Sequence, residues 1–160
     1  MKKIIFGIFL LFSINVLALD TSFRIGAITN SSSYNKETNK FSKYAPSLGV
    51  EVTQSFAIAD LGLGIAYNKN IDDVEVETVP VYGIVKYNFF PIFLQPYLVG
   101  KIGTVLYSDD NYKGKDASTY YGAGIGLNFL NMQTELLYSQ TKMEDDKLDQ
   151  VSLVFGINLF

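Results

Sequence analysis

Apolar side chains recur at every second position along most of this chain, from Leu19 onward. A period of two places them on one face of a β-strand, and clusters of Gly, Asn, Asp and Ser between the runs indicate turns. In residues 150–160, the clearest run, small or polar residues occupy the opposite face. The apolar face there carries Val151, Leu153, Phe155, Ile157 and Leu159. The pattern predicts strands throughout the chain after Leu19.

Eight segments carry this alternation and predict eight strands: residues 20–29, 46–54, 61–68, 76–88, 94–107, 120–129, 132–140 and 150–160. Four connections are longer and polar, near residues 30–44, 69–74, 108–118 and 141–149. Between them lie shorter, more apolar turns at residues 55–60, 89–93 and 130–131. An even number of strands with long loops at one end and tight turns at the other is typical of bacterial membrane barrels.

The charged strand residues decide which face of such a barrel points inward. A soluble barrel buries its apolar face, whereas a membrane barrel turns that face to lipid and keeps polar groups inside. Five charged residues all lie opposite the apolar positions of their strands: Arg24, Glu51, Lys86, Lys101 and Glu135. Three residues with amide side chains lie on the same face: Gln95, Gln133 and Asn128. These eight residues predict a polar network in a narrow lumen, since unpaired charges would be costly to bury. The alternative is a soluble sheet whose charges face water.

Nine aromatic residues fall near the ends of the predicted strands, where a membrane barrel carries interfacial girdles. They are Tyr67, Tyr87, Phe89, Phe90, Phe93, Tyr107, Tyr121, Phe129 and Tyr138. The alternative for some of them is packing in the core. Their positions add to the case for a membrane barrel.

The N-terminal residues 1–18 predict a cleaved secretory signal peptide. Lys2 and Lys3 precede an almost unbroken apolar run, and Val16 and Ala18 suit the small-residue rule for cleavage before Leu19. The apolar run is shorter than the roughly 20 residues that a membrane-spanning helix needs. We therefore expect a single β-barrel domain at residues 19–160.

Composition narrows the chemistry available to this domain. The 160 residues include neither cysteine nor histidine, which removes disulfides, thiolate metal sites, the usual general base and the commonest metal ligand. The formal net charge of −3 argues against nucleic acid as a partner. We expect no catalytic residue, no metal and no cofactor.

The signal peptide, the eight alternating strands, the unequal loops and the final Phe160 together resemble the small outer-membrane barrels of the OmpX type and the OmpA transmembrane domain. The resemblance covers nearly all of residues 19–160. It implies an eight-stranded antiparallel up-and-down transmembrane β-barrel in the outer membrane of a Gram-negative bacterium, with both termini in the periplasm. Surrounding lipids and lipopolysaccharide, and the outer-membrane assembly machinery, are the partners that it implies.

In this family a terminal aromatic residue serves as an assembly signal and shares its face with apolar residues two and four places earlier. Here those places hold Asn158 and Gly156. The apolar set is offset by one residue, through Leu159, Ile157 and Phe155. Either a bulge corrects the phase or Phe160 lies just beyond the strand.

Barrel enzymes that resemble this family rely on histidine, so we expect that the chain is not an enzyme. The leading prediction is a structural or surface-interaction role, of the kind an adhesin has, in which the outer loops contact host or envelope components. A narrow pore for small solutes is the first alternative, and a soluble periplasmic ligand-binding barrel is the second.

Overall fold

The computed structural model describes residues 19–30, 34–35, 40–41, 44–56, 58–69, 77–89, 93–107, 118–142 and 147–159. These residues form ten strands: β1 (Leu19–Asn30), β2 (Tyr34–Asn35), β3 (Lys40–Phe41), β4 (Ala45–Phe56), β5 (Ala59–Asn68), β6 (Thr78–Asn88), β7 (Leu94–Tyr107), β8 (Ser118–Phe129), β9 (Met132–Lys142) and β10 (Lys147–Asn158). Among them no helix is long and apolar enough to cross a membrane. The predicted signal peptide and Phe160 lie outside the described residues.

Eight of these strands close into one antiparallel barrel in the order β1-β10-β9-β8-β7-β6-β5-β4, because β1 pairs with both β10 and β4. Every other barrel strand pairs with its neighbours along the chain. The predicted eight-stranded up-and-down barrel is therefore confirmed. The short strands β2 and β3 form a separate hairpin between β1 and β4. Their surrounding Ser, Asn and Lys residues show no alternation that would have predicted them.

The two ends of the barrel differ in their connections. At the short-turn end lie the turns 57–58, 89–93 and 130–131, together with the start of β1 and the end of β10. The first of these turns is tighter than the predicted 55–60, since Phe56 pairs directly with Ala59. Leu130 has a φ of 53°, a left-handed conformation that favours Gly or Asn over Leu. The opposite, long-loop end carries connections 31–44, 69–77, 108–117 and 143–146.

Large apolar side chains cover the outside of the barrel and form what we call the apolar belt. Monomeric soluble proteins rarely expose a continuous apolar surface of this kind. From Leu94 to Leu106, β7 presents no charged residue outward, a stretch of about 30 Å along the barrel axis at about 3.4 Å per residue and a tilt near 40°. That height matches the hydrocarbon thickness of a bilayer. The belt includes Phe23, Ile25, Leu48, Val50, Leu63, Ile65, Val81, Val85, Leu98, Ile102, Ile125, Leu127, Leu136, Leu153, Phe155 and Ile157.

Glycines make room for large side chains inside the barrel. A Cβ on Gly64 would collide with the ring of Tyr82, and one on Gly126 would collide with the ring of Tyr97. Both tyrosines are buried in the lumen. The glycines on the inward face of β5 and β8 therefore let these two aromatic rings cross the interior.

Candidate functional site

Five strands each contribute one charged side chain to the middle of the lumen. Arg24 comes from β1, Glu51 from β4, Lys86 from β6, Lys101 from β7 and Glu135 from β9. Successive side chains of a strand point to opposite faces, and the apolar neighbours of these five residues face outward, so the five residues point inward. None of the five is more than 7% exposed. With Tyr82, Tyr97 and Gln133, which contact them, they form the interior network.

Of the two carboxylates in the interior network, Glu51 has more partners. Its Oε1 lies 2.8 Å from Lys101 Nζ and pairs with Arg24 Nη1, while its Oε2 lies 3.1 Å from Lys86 Nζ. The hydroxyl of Tyr82 donates a hydrogen bond of 3.0 Å to Oε1. The carboxylate of Glu51 thus forms ion pairs with three cationic side chains and accepts a hydrogen bond from one tyrosine.

Glu135 closes the network from the opposite wall. Its Oε1 lies 2.8 Å from Arg24 Nη2 and 2.7 Å from Lys101 Nζ. The hydroxyl oxygen of Tyr97 lies 3.3 Å from both Glu135 Oε2 and Gln133 Oε1. Lys86 Nζ donates a 3.0 Å hydrogen bond to Gln133 Oε1. Arg24 and Lys101 therefore bridge the two carboxylates.

These contacts join strands that are not neighbours in the sheet. Lys86 on β6 reaches Glu51 on β4 across β5, and Arg24 on β1 reaches Glu135 on β9 across β10. Charged groups in a low-dielectric interior interact strongly, and removing one partner leaves an uncompensated charge. The interior network therefore crosses the lumen and closes it at this level.

Two of the eight predicted network residues lie apart from it. Asn128 Nδ2 donates a 3.4 Å hydrogen bond to Gln95 near the short-turn end, and no contact joins this pair to the charged residues within the described chain. Gln133 contacts the network and also donates to Asn158 at 3.0 Å. The structure thus brings together the five charged residues and Gln133, with Gln95 and Asn128 forming a separate pair.

The C-terminal apolar residues face outward. Phe155 and Ile157 belong to the apolar belt. Leu159 follows the end of β10, and its backbone N–H donates a hydrogen bond to the carbonyl oxygen of Thr21. The pairing of β10 with β1 and β9 runs without a bulge through Ile157. Phe160 lies outside the described residues, so the assembly signal stays a prediction.

The polar network predicted from the sequence did not include the inward tyrosines. Tyr82, Tyr97 and Tyr120 join Ile84, Val99, Val105 and Leu137 in a buried apolar cluster inside the lumen. Their parity with Lys86 and Lys101 on β6 and β7 was the available signal, and the facing glycines were the second. Within the described ranges, no group of three or more Asp or Glu side chains could hold a metal ion.

Solved structures share this architecture over most of the chain. The outer membrane enzyme PagL has a TM-score of 0.62 at 15% identity, covering 86% of this chain and 98% of its own. Neisserial surface protein A has a TM-score of 0.60 at 13% identity, covering 88% and 96%. Ail of Yersinia pestis has a TM-score of 0.55 at 15% identity, covering 88% and 99%. No protein-family model matches the sequence, and no curated protein matches it.

The fold is that of the small outer-membrane barrels. The resemblance predicted from the sequence is thereby confirmed at the level of the fold. One prediction needs correction. The expectation that the chain is not an enzyme is wrong as it stands, because the outer membrane enzyme PagL shares this fold. The same barrel thus carries an enzyme as well as surface proteins, and the absence of histidine is no ground for excluding catalysis on it.

Proposed function

We propose that this protein is an integral outer-membrane barrel whose long-loop end faces the cell exterior and binds partners there. The apolar belt carries the proposal, because a soluble ligand-binding barrel would bury these side chains and expose its charges. In this proposal lipid and lipopolysaccharide surround the belt, and the short-turn end faces the periplasm with the start of β1 and the end of β10.

Two matched arginine substitutions test the membrane placement. Leu63 and Leu130 are almost equally exposed, at 70% and 69%, but Leu63 lies in the middle of β5 and Leu130 lies in a turn. At the midplane of a bilayer an outward arginine costs about 2–4 kcal/mol, and near the interface about 0–1 kcal/mol. We expect Leu63→Arg to lower the free energy of unfolding of the barrel in phospholipid vesicles by the larger amount. Equal effects of Leu63→Arg and Leu130→Arg would overturn the placement.

The closed interior favours a scaffold that presents its loops to partners. It argues against a pore. The interior network would have to separate before a solute could pass, and an eight-stranded barrel is only wide enough for its side chains. We expect planar-bilayer recordings of the purified protein to show no reproducible conductance steps. Regular steps from the wild-type chain would favour the pore instead.

The binding role is supported by two proteins that share the fold, the attachment invasion locus protein Ail and a neisserial surface protein. The test displays the chain on a Gram-negative bacterium that does not adhere by itself and measures its attachment to cultured host cells. Each long connection is then replaced by a short Gly-Ser linker, with replacement of residues 130–131 as the control at the other end. We expect at least one long-connection variant, but not the control, to reduce attachment. No attachment by the wild type, or no change in any variant, would refute the binding role.

A further inference from the structure

A small cavity lies in the lumen between the interior network and the long-loop end. Its volume is about 30 Å³, which is enough for about two water molecules or one monatomic anion. Its walls combine apolar side chains with the hydroxyl groups of serines and tyrosines. The cavity is therefore polar enough to hold a small occupant.

Among the described residues, the charged ones that line this cavity are both cations, Arg24 and Lys101. The carboxylates of Glu51 and Glu135 pair with the same two residues but do not line the cavity. An occupant consequently meets positive charge from the network and no negative charge from the described walls.

The buried interior also carries an excess of positive charge. Among the described residues that are almost fully buried, three are cations and two are carboxylates: Arg24, Lys86, Lys101, Glu51 and Glu135. Two other inward carboxylates, Asp20 and Asp60, are only partly buried at the short-turn end, where Ser55 and Asn88 donate to them. They lie on the far side of the network from the cavity. One uncompensated positive charge among buried groups is costly, so a neutralising anion would stabilise the folded barrel.

Hydroxyl donors on the cavity wall complete the site. Ser152 is buried, lines the cavity and has no hydrogen-bond partner among the described residues. Tyr120 and Ser139 are also buried and line the cavity. The wall therefore offers hydroxyl groups to an occupant that accepts hydrogen bonds.

We propose that this cavity binds one monatomic halide ion, held by Arg24 and Lys101 and by the hydroxyls of Ser152, Tyr120 and Ser139. Water would satisfy the hydroxyls but would leave the excess positive charge. A halide satisfies both, and its size fits the volume. The site does not depend on what the long loops bind.

The direct test is a crystal of the refolded wild-type barrel grown in bromide, which scatters anomalously. We expect one anomalous peak in the lumen, within contact distance of Ser152 and Arg24. A cavity that holds only solvent density without anomalous signal would overturn the proposal.

The solution test excludes binding that occurs only at crystal concentrations. Urea unfolding of the barrel in detergent is followed in sodium bromide and in sodium gluconate, whose anion is too large for the cavity, at equal ionic strength. At a halide concentration tenfold above its dissociation constant, the folding equilibrium constant should rise about tenfold. The rise should be absent in gluconate.

Paired serine variants separate the site from a general salt effect. The double variant Ser139→Ala, Ser152→Ala removes wall hydroxyls and leaves every charge in place, whereas Ser22→Ala removes a buried hydroxyl outside the cavity. We expect the bromide effect to shrink in the double variant and to persist in the control. Equal bromide effects in all three proteins would show an unspecific salt effect and refute the site.

Discussion

Removing the charge of Glu51 should destabilise the barrel more than any other single loss of a carboxylate. Glu51 pairs with Arg24, Lys86 and Lys101 at 0% exposure. The variant Glu51→Gln keeps the size of the side chain and an acceptor for Tyr82, but it leaves three buried cations opposite Glu135 alone. Breaking a buried ion pair by removing one partner costs about 3–5 kcal/mol. We expect the free energy of unfolding to fall by this amount.

The assay is a urea titration of the refolded barrel in detergent, with linear extrapolation to water. Glu77→Gln is the matched control, since Glu77 is only partly buried and lies beside Tyr67 at the long-loop end. A hydrogen bond to an exposed tyrosine contributes much less to stability than a buried ion pair does. Both substitutions replace Glu by Gln. The difference between their losses in free energy of unfolding therefore measures the effect of the burial of Glu51 and of its three ion pairs.

A second substitution tests whether charge imbalance is the cause. Adding Lys86→Met to Glu51→Gln restores the wild-type excess of one positive charge inside the barrel. We expect the double variant to lose about 0.5–3 kcal/mol less than the sum of the two single variants, which is the range found for residues in one network. If Glu51→Gln costs no more than Glu77→Gln, or if the double variant is additive, the interior network does not stabilise the fold in the way described.

Three further outcomes test the packing and the belt. Gly126→Ala should cost about 1–3 kcal/mol because its Cβ would collide with Tyr97, whereas Gly83→Ala, with its nearest atom 3.7 Å away, should not; urea titration compares the two. The chain has no tryptophan, so Leu63→Trp and Phe93→Trp each introduce a single indole fluorophore. Bromines deep in the acyl chains should quench the fluorescence of the Leu63→Trp variant more than that of the Phe93→Trp variant, and similar quenching would contradict the orientation. Unboiled folded protein should migrate differently from boiled protein on a gel, and identical mobility would refute a compact barrel.

The sequence determines which face of a strand is buried more reliably than what packs there. The period of two places Arg24 and Glu135 opposite apolar neighbours, and this parity alone predicts which side points inward. Parity also places Tyr82 and Tyr97 on the face of Lys86 and Lys101, but it does not tell what their rings contact. Those contacts depend on the register between strands, which brings Gly126 next to Tyr97. Side-chain contacts of this kind follow from three-dimensional closure and have no local signal.

The network explains how one scaffold can carry different surface chemistry. Backbone hydrogen bonds connect only neighbouring strands, so they leave the cross-section of a barrel free to deform. The contacts from Arg24 to Glu135 and from Lys86 to Glu51 span an intervening strand and fix that cross-section from inside. None of these residues belongs to the long connections. Replacing a long connection should therefore leave the free energy of unfolding nearly unchanged even where it abolishes binding, and a loss of stability that parallels the loss of binding would show that loops and network are coupled.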